Sequence, residues 1–222
     1  MLFSTPTVLC VQLLKLFDVA HVHQLKAGGV LFAAGDAGDG CYRLDKGLLK
    51  VTVTSAGGEE RIVAILGPGA VVGELAMIDR MPRSASVVAL RDSVLRFVSR
   101  ESYEKRVLLH PEIKQALLEI LAFRLRQADE ELAATTFLSV KARVARALLE
   151  LAEFVGKPSD PQCIVLEEKI SHADLAAMAG VARENASRVL SEWRRRNLVF
   201  SGVSQRYVLD DVAALKREMN ED

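Results

Sequence analysis

ISHADLAAMAGVARENASRVLSEWRRRNLVF, residues 170–200, reads as two helices joined by a tight turn. Ser171 stands where it can cap the first helix with Asp174 at the third position, and apolar residues recur at Leu175, Ala176 and Met178. Gly180 supplies the left-handed residue that ends this helix. Counted at about 100° per residue from Arg183, the positions Arg183, Glu184, Ser187, Arg188, Ser191, Arg194 and Arg195 share an arc of roughly 140°. Ala186, Val189 and Trp193 fall opposite. One face can pack while the other meets a groove.

Charge sharpens this. The chain of 222 residues carries 29 lysines and arginines against 29 aspartates and glutamates, so it has no general electrostatic pull on nucleic acid. Between 183 and 206, however, six arginines stand against two glutamates, a local excess of four positive charges. An arginine at the start of such a helix suits bidentate bonding to guanine O6 and N7, and Glu184 beside it can accept from cytosine N4. The sequel NLVFSGVSQRYVLDD reads as strand, turn and strand, a wing that can touch phosphates through Arg206 or Ser204. The candidate DNA-binding residues are Ser171, His172, Arg183, Glu184, Ser187, Arg188 and Arg206. The bland alternative is a solvated helix of a generic bundle; the glycine turn, the one-sided polar arc and the wing, appearing in order, argue against it.

Upstream, residues 28–99 show short apolar runs between glycine-rich turns. Leu49, Val51 and Val53 alternate with Lys50, Thr52 and Thr54 and close on AGGEE, the pattern of antiparallel strands in a roll. After His110-Pro111 glycines vanish until Gly156, and a long helix runs through EIKQALLEILAFRLRQADEELAAT. Its Leu118, Leu121, Leu125, Ala128, Leu132 and Thr135 form an a/d seam, for which a homodimer is the simplest consequence. Packing on its own roll is the alternative, and the two can hold along different faces. Ser139 can cap the next helix, VKARVARALLELAEFVG, which should stop at Gly156, with KPSDPQ as a turn-rich connection. The expected class is α+β: an antiparallel, jelly-roll-like β-roll over residues 1–108, a central dimerisation helix over 109–138, and a winged helix-turn-helix over 139–222.

Within the roll, GELAMIDRMPRSA (73–85) sets Glu74 and Arg83 close together in sequence. Burying either charge is costly without a partner, which can be the other residue or a ligand. Cys10, Cys41 and Cys163 have no metal-binding or disulfide spacing, so neither a metal site nor an iron-sulfur cluster is expected. His21, His23, His110 and His172 are expected as surface or capping residues and not as haem ligands. The pair His21 and His23 makes a weak metal site because the region reads as helix, where alternate residues do not share a face. No apolar run is long enough to span a membrane, and MLFSTPTVLCVQLLKLFDVA reads as a short amphipathic helix in a cytoplasmic protein, with secretion a minor alternative. No catalytic constellation stands out, so no enzyme is expected.

With these residues in view, the chain resembles the bacterial cyclic-AMP receptor and fumarate-nitrate-reduction regulator family, Crp/Fnr, from about Gly28 to the C-terminus. The resemblance rests on Gly35, Asp36 and Asp39 of a GDxxD pattern, Tyr42, Gly47, GELA with PRSA, FLSVKARVARALLELA and GVARENASRVL. It implies a cyclic-nucleotide-binding type of roll and a dimer that binds a palindromic site in double-stranded DNA, with RNA polymerase as a further candidate partner. It also assigns base contacts to Arg183, Glu184 and Arg188. The family's phosphate-binding cassette falls on Gly73, Glu74, Leu75, Arg83, Ser84 and Ala85. Arg83, the Ser84 and Ala85 N–H groups and the Ser84 hydroxyl can hold a cyclic phosphate, Glu74 can accept from the ribose 2′-hydroxyl, and Gly73 permits close backbone approach. Members responding to cyclic AMP carry a hydroxyl pair on the central helix where this chain has Ala128 and Asp129, and commonly a capping serine where it has Ala182. The expected effector is cyclic AMP or cyclic GMP. A repurposed pocket sensing another signal, and a nucleotide-binding module acting through protein partners, are the alternatives.

Overall fold

The computed structural model describes residues 13–18, 20–160, 162–201 and 206–220. Contacts divide the chain into two compact units that meet between Ala128 and Asp129. The first unit is built on two four-stranded sheets. Its strands are β1 His21–Leu25, β2 Val30–Phe32, β3 Gly40–Lys46, β4 Leu49–Thr54, β5 Glu60–Leu66, β6 Val71–Val72, β7 Ser86–Ala89 and β8 Ser93–Ser99. They pair antiparallel in the orders β1-β8-β3-β6 and β2-β7-β4-β5. Helices α1 Glu74–Asp79, α2 Arg100–Leu109 and α3 Glu112–Phe137 belong with them, the last crossing the division between the units.

Leu44, Leu49, Leu66, Val87 and Leu95 belong to one core cluster of the roll. A second gathers Phe17, Cys41 and Val98 with Ile113, Leu117 and Ile120 of α3, so one face of the long helix does pack on its own roll. Leu118, Leu125 and Leu132, one heptad apart, are 61%, 64% and 67% exposed. The seam therefore has no partner within the described chain.

Two local expectations for this unit are corrected. β4 does not alternate strictly: Leu49 and Thr52 are buried while Val51 and Val53 are half-buried, because the β4–β5 register shifts between Val51 and Thr52. His21 and His23 lie on a strand and not a helix, and so share a face; β1 was misread because all but Leu25 of it is exposed. Even so, no group of three or more metal-ligating side chains occurs among the described residues. Of the amphipathic lead-in, residues 13–17 are helical and Leu13, Leu16 and Phe17 are buried; the rest lies outside the described residues.

The second unit holds α4 Val140–Val155, β9 Gly156–Asp160, β10 Cys163–Lys169, α5 His172–Ala179, α6 Arg183–Arg195, β11 Val199–Ser201, β12 Arg206–Leu209 and α7 Val212–Asn220. Its sheet runs β11-β12-β10-β9. The Ser139 side chain caps α4 by accepting from the Ala142 N–H at 3.2 Å. Gly156 ends α4 as expected, in extended backbone at φ −86°, and also opens β9, so that KPSDPQ is mostly strand and not a turn-rich connection. Close approach is what requires glycine there, since a Cβ would lie 2.2 Å from the Ala152 carbonyl oxygen and 2.5 Å from Ile164.

Candidate functional site

The stretch 73–85 folds as the short helix α1 followed by a loop entering β7. Gly73 precedes the helix at φ 84°, a conformation only glycine adopts readily, and a Cβ there would press on the Arg83 guanidinium at 2.5 Å. Glu74 and Arg83 are both buried, 1% and 5% exposed. They do not pair with each other. Arg83 Nη1 donates to the carbonyls of Gly40 at 2.8 Å and Gly73 at 2.6 Å, and its guanidinium lies 4.3 Å over the Phe32 ring. The Arg83 Nε has no partner, and among the described residues the guanidinium has no carboxylate. The loop 33–36 holds the backbone of Arg83, whose N–H donates to Asp36 O at 2.8 Å and whose carbonyl accepts from Gly35 N–H at 2.8 Å. Ser84 is exposed, and the N–H groups of Ser84 and Ala85 have no protein acceptor among the described residues.

Two arginines that sequence reading missed complete the arrangement. Arg124 of α3 donates to Glu74 Oε1 and to the Val71 carbonyl, leaving Glu74 Oε2 buried and without a partner. It stands four residues before Ala128, on the same face of the helix, which is the signal that could have found it. Arg100 donates to the carbonyls of Gly38, Ala76 and Met77 at 2.6, 2.8 and 3.0 Å, fastening the end of α1 to the β2–β3 loop. Gly73, Glu74 and Arg83 are thus brought together. Leu75 is exposed, and Ala128 and Asp129 are exposed on α3, Asp129 with no side-chain hydrogen bond among the described residues. The unpaired N–H groups of the Arg83 guanidinium, two open amides and one carboxylate oxygen can receive an anion and a hydroxyl. Cys41 behind them is chemically quiet, burial holding its thiol pKa far above the usual value.

In the second unit, Ser171 and Asp174 form a reciprocal cap: the Ser171 Oγ accepts from the Asp174 N–H at 3.0 Å, and Asp174 Oδ2 accepts from the Ser171 N–H and hydroxyl. Ser171→Ala is expected to cost about 1 kcal/mol of stability, and an unshifted urea midpoint would contradict the cap's importance. Gly180 ends α5 in the left-handed region at φ 61°, and Ala182 gives α6 no side-chain cap. On α6 the residues Ala186, Val189, Leu190 and Trp193 are buried, while Arg183, Glu184, Ser187, Arg188 and Ser191 line one open depression. The local charge excess is partly consumed inside the unit, because Arg196 pairs with Glu218, which lies outside the counted stretch. Arg206 is exposed at the start of β12; Ser204 lies outside the described residues.

The His172 Nδ1 lies 3.0 Å from the Ser187 Oγ, and its ring stacks on Tyr207 at 6.3 Å. Burial, then the charges of Arg194 and Arg183, lower the imidazole pKa. Burial also pushes the Tyr207 hydroxyl up to about 12.

The comparisons with known proteins agree with this geometry. Residues 22–108 match the cyclic nucleotide-binding domain family and residues 142–218 the Crp-like helix-turn-helix domain family. The cyclic AMP receptor protein of Thermus thermophilus is 36% identical over 191 residues, covering 84% of this chain and 85% of its own. A CRP-like cAMP-activated global transcriptional regulator of Mycobacterium tuberculosis is 30% identical over 172 residues, 78% and 76% of the two chains. The crystal structure of a CRP/FNR family transcriptional regulator, also from Thermus thermophilus, superposes with a TM-score of 0.77 at 27% identity, covering 90% of this chain and 99% of that one. With both domains matched in order and identity at this level over most of its length, the chain belongs to the Crp/Fnr family of DNA-binding transcription regulators, not enzymes.

Proposed function

We propose that the chain is a homodimeric, cytoplasmic, sequence-specific regulator whose roll binds a cyclic nucleotide, cyclic AMP or cyclic GMP, and whose paired α6 helices read a palindromic DNA site. The observation that carries the effector assignment is the buried Arg83 guanidinium without a carboxylate partner, beside the unpaired Glu74 Oε2. A cyclic phosphodiester supplies the missing negative charge, taking donors from Arg83 and the Ser84 and Ala85 amides. The ribose 2′-hydroxyl donates to Glu74, whose other oxygen is held by Arg124. The curated relatives named for cyclic AMP favour the same ligand class. A different effector in the same cassette is favoured by one feature, the Ala128 and Asp129 pair, which offers no hydroxyl to a purine. Calorimetric titration with cyclic AMP and cyclic GMP, followed by DNA binding with and without whichever binds, tests the assignment; absence of binding by both would refute it.

Regulation follows from population shift. Arg124 joins the cassette to α3, so a ligand that competes for or reinforces the Arg124–Glu74 contact changes the helix that also carries the seam. A ligand with equal affinity for both states would change nothing. In the DNA-competent dimer the two α6 helices must lie about 34 Å apart to enter successive major grooves. Arg183→Ala is expected to relax preference at one base pair per half-site, at a cost of about 1–3 kcal/mol. Selection from a randomised duplex pool checks this, and an unchanged preferred site would count against α6 as the reading helix. RNA polymerase is the proposed further partner.

A further inference from the structure

We propose that His172, Arg194 and Tyr207 form a phosphate-anchoring site that takes one backbone phosphodiester of duplex DNA beside the base-reading face. This rests on the DNA-binding reading above and adds to it a site, a ligand group and a proton linkage. The three side chains line a depression of about 50 Å³ between α5, α6 and β12, together with Leu190, Ser191 and Val199. A water needs only about 10–15 Å³ of such space, so one phosphate oxygen fits. Ser191 also lines the depression formed by Arg183, Glu184, Ser187 and Arg188, so the two adjoin along α6.

The chemistry is mostly that of donors. His172 is held through Nδ1 by Ser187, leaving Nε2 without a partner among the described residues. Tyr207 is 2% exposed and its hydroxyl has no hydrogen-bond partner, an unusual state for a buried polar group. Arg194 bears on both rings, and Arg183 adds its charge at His172. Asp174 faces Tyr207 from α5, but its Oδ2 is engaged by Ser171. The Ser191 hydroxyl donates to the Ser187 carbonyl and is also occupied. Imidazole and phenol thus line one space under the charge of Arg194, with the single carboxylate of Asp174 held by the Ser171 cap, and the donors suit a phosphate oxygen.

A phosphate placed there offsets the repulsion that Arg183 and Arg194 exert on an imidazolium. The His172 pKa is then higher in the complex than in the free protein, so binding takes up a proton and affinity rises as pH falls. The experiment is fluorescence anisotropy of the full-length protein on a duplex recovered from a randomised pool, between about pH 6 and about pH 8. Wild-type affinity should fall about tenfold across that range, and His172→Gln should flatten the dependence without altering the preferred sequence. Tyr207→Phe should weaken every sequence about tenfold and leave the salt slope unchanged, since it removes a donor and no charge. A single neutral methylphosphonate scanned along the backbone should abolish the pH dependence at one position per half-site. The proposal is overturned if His172→Gln keeps the wild-type dependence or if no methylphosphonate position removes it. It is equally overturned if millimolar inorganic phosphate alone removes the dependence, since the occupant would then be a free anion. A protein that selects its sequence with no pH dependence fails only this site, whereas one that binds no duplex fails the DNA-binding reading as well.

Discussion

Replacing Arg83 by alanine is expected to abolish cyclic-nucleotide binding while leaving the roll folded. Among the described residues the guanidinium is compensated by the Gly40 and Gly73 carbonyl dipoles and the Phe32 ring. A buried cation in that state costs free energy that a bound anion returns. The charge-assisted bonds to a cyclic phosphate therefore contribute at least about 3 kcal/mol, and their loss weakens binding by a factor of about 100 or more. Stability without ligand should change little, because the same substitution deletes both the two carbonyl bonds and the uncompensated charge. In a thermal melt, a saturating cyclic nucleotide at about 100 times its wild-type Kd should stabilise wild type by about 2.7 kcal/mol and the variant by about 0.4 kcal/mol or less. Arg83→Lys should fall between, keeping the charge but losing the planar fork. An alanine variant that retains the full ligand-induced shift would remove Arg83 from the site.

Much of this was readable in the sequence wherever the determining interaction is local. The Ser171–Asp174 cap, the left-handed Gly180, the missing cap at Ala182 and the buried stripe at Ala186, Val189 and Trp193 depend on residues within one or two turns of each other. The partners of Glu74 and Arg83 were not readable. Glu74 meets Arg124 fifty residues away, on a helix whose surface carries several other charged residues, and Arg83 meets backbone carbonyls that any residue provides. Arg100 was missed for the same reason: its partners at 38, 76 and 77 are main-chain oxygens. β1 escaped because an edge strand with four exposed residues shows no inside and outside to alternate. β9 escaped because its proline and polar residues resemble a loop, and its pairing with β10 is decided by the chain that follows.

The question posed by GELAMIDRMPRSA was whether its acid and its base serve each other. They do not: each is held from elsewhere with a buried polar atom left over, Glu74 Oε2 and Arg83 Nε. That division matters for regulation. Had Glu74 and Arg83 paired, a ligand would have had to break an ion pair within the roll; with Arg124 as the partner of Glu74, the ligand's hydroxyl meets a carboxylate already linked to α3.

The double substitution Leu125→Glu with Leu132→Glu is expected to convert the protein to a monomer and to remove specific DNA binding. Both leucines are about two-thirds exposed, so the folded protomer should tolerate the change. In a parallel two-helix seam each a or d residue meets its own copy, and paired carboxylates there repel while the lost leucine burial removes about 1.5–3 kcal/mol per side chain. A palindromic site is held by two reading helices, each supplying only a half-site's contacts. Once the protomers separate, the second contact no longer has the first to raise its effective concentration, and affinity for the full site should fall by roughly 10²–10⁴. Sedimentation velocity reports the assembly state and anisotropy the DNA affinity. Leu108→Glu serves as control, since Leu108 is 82% exposed but lies on α2, away from the seam, and should leave both readings unchanged. If the double variant sediments as a dimer, the protomers associate through another surface and Leu118, Leu125 and Leu132 are not the seam that joins them.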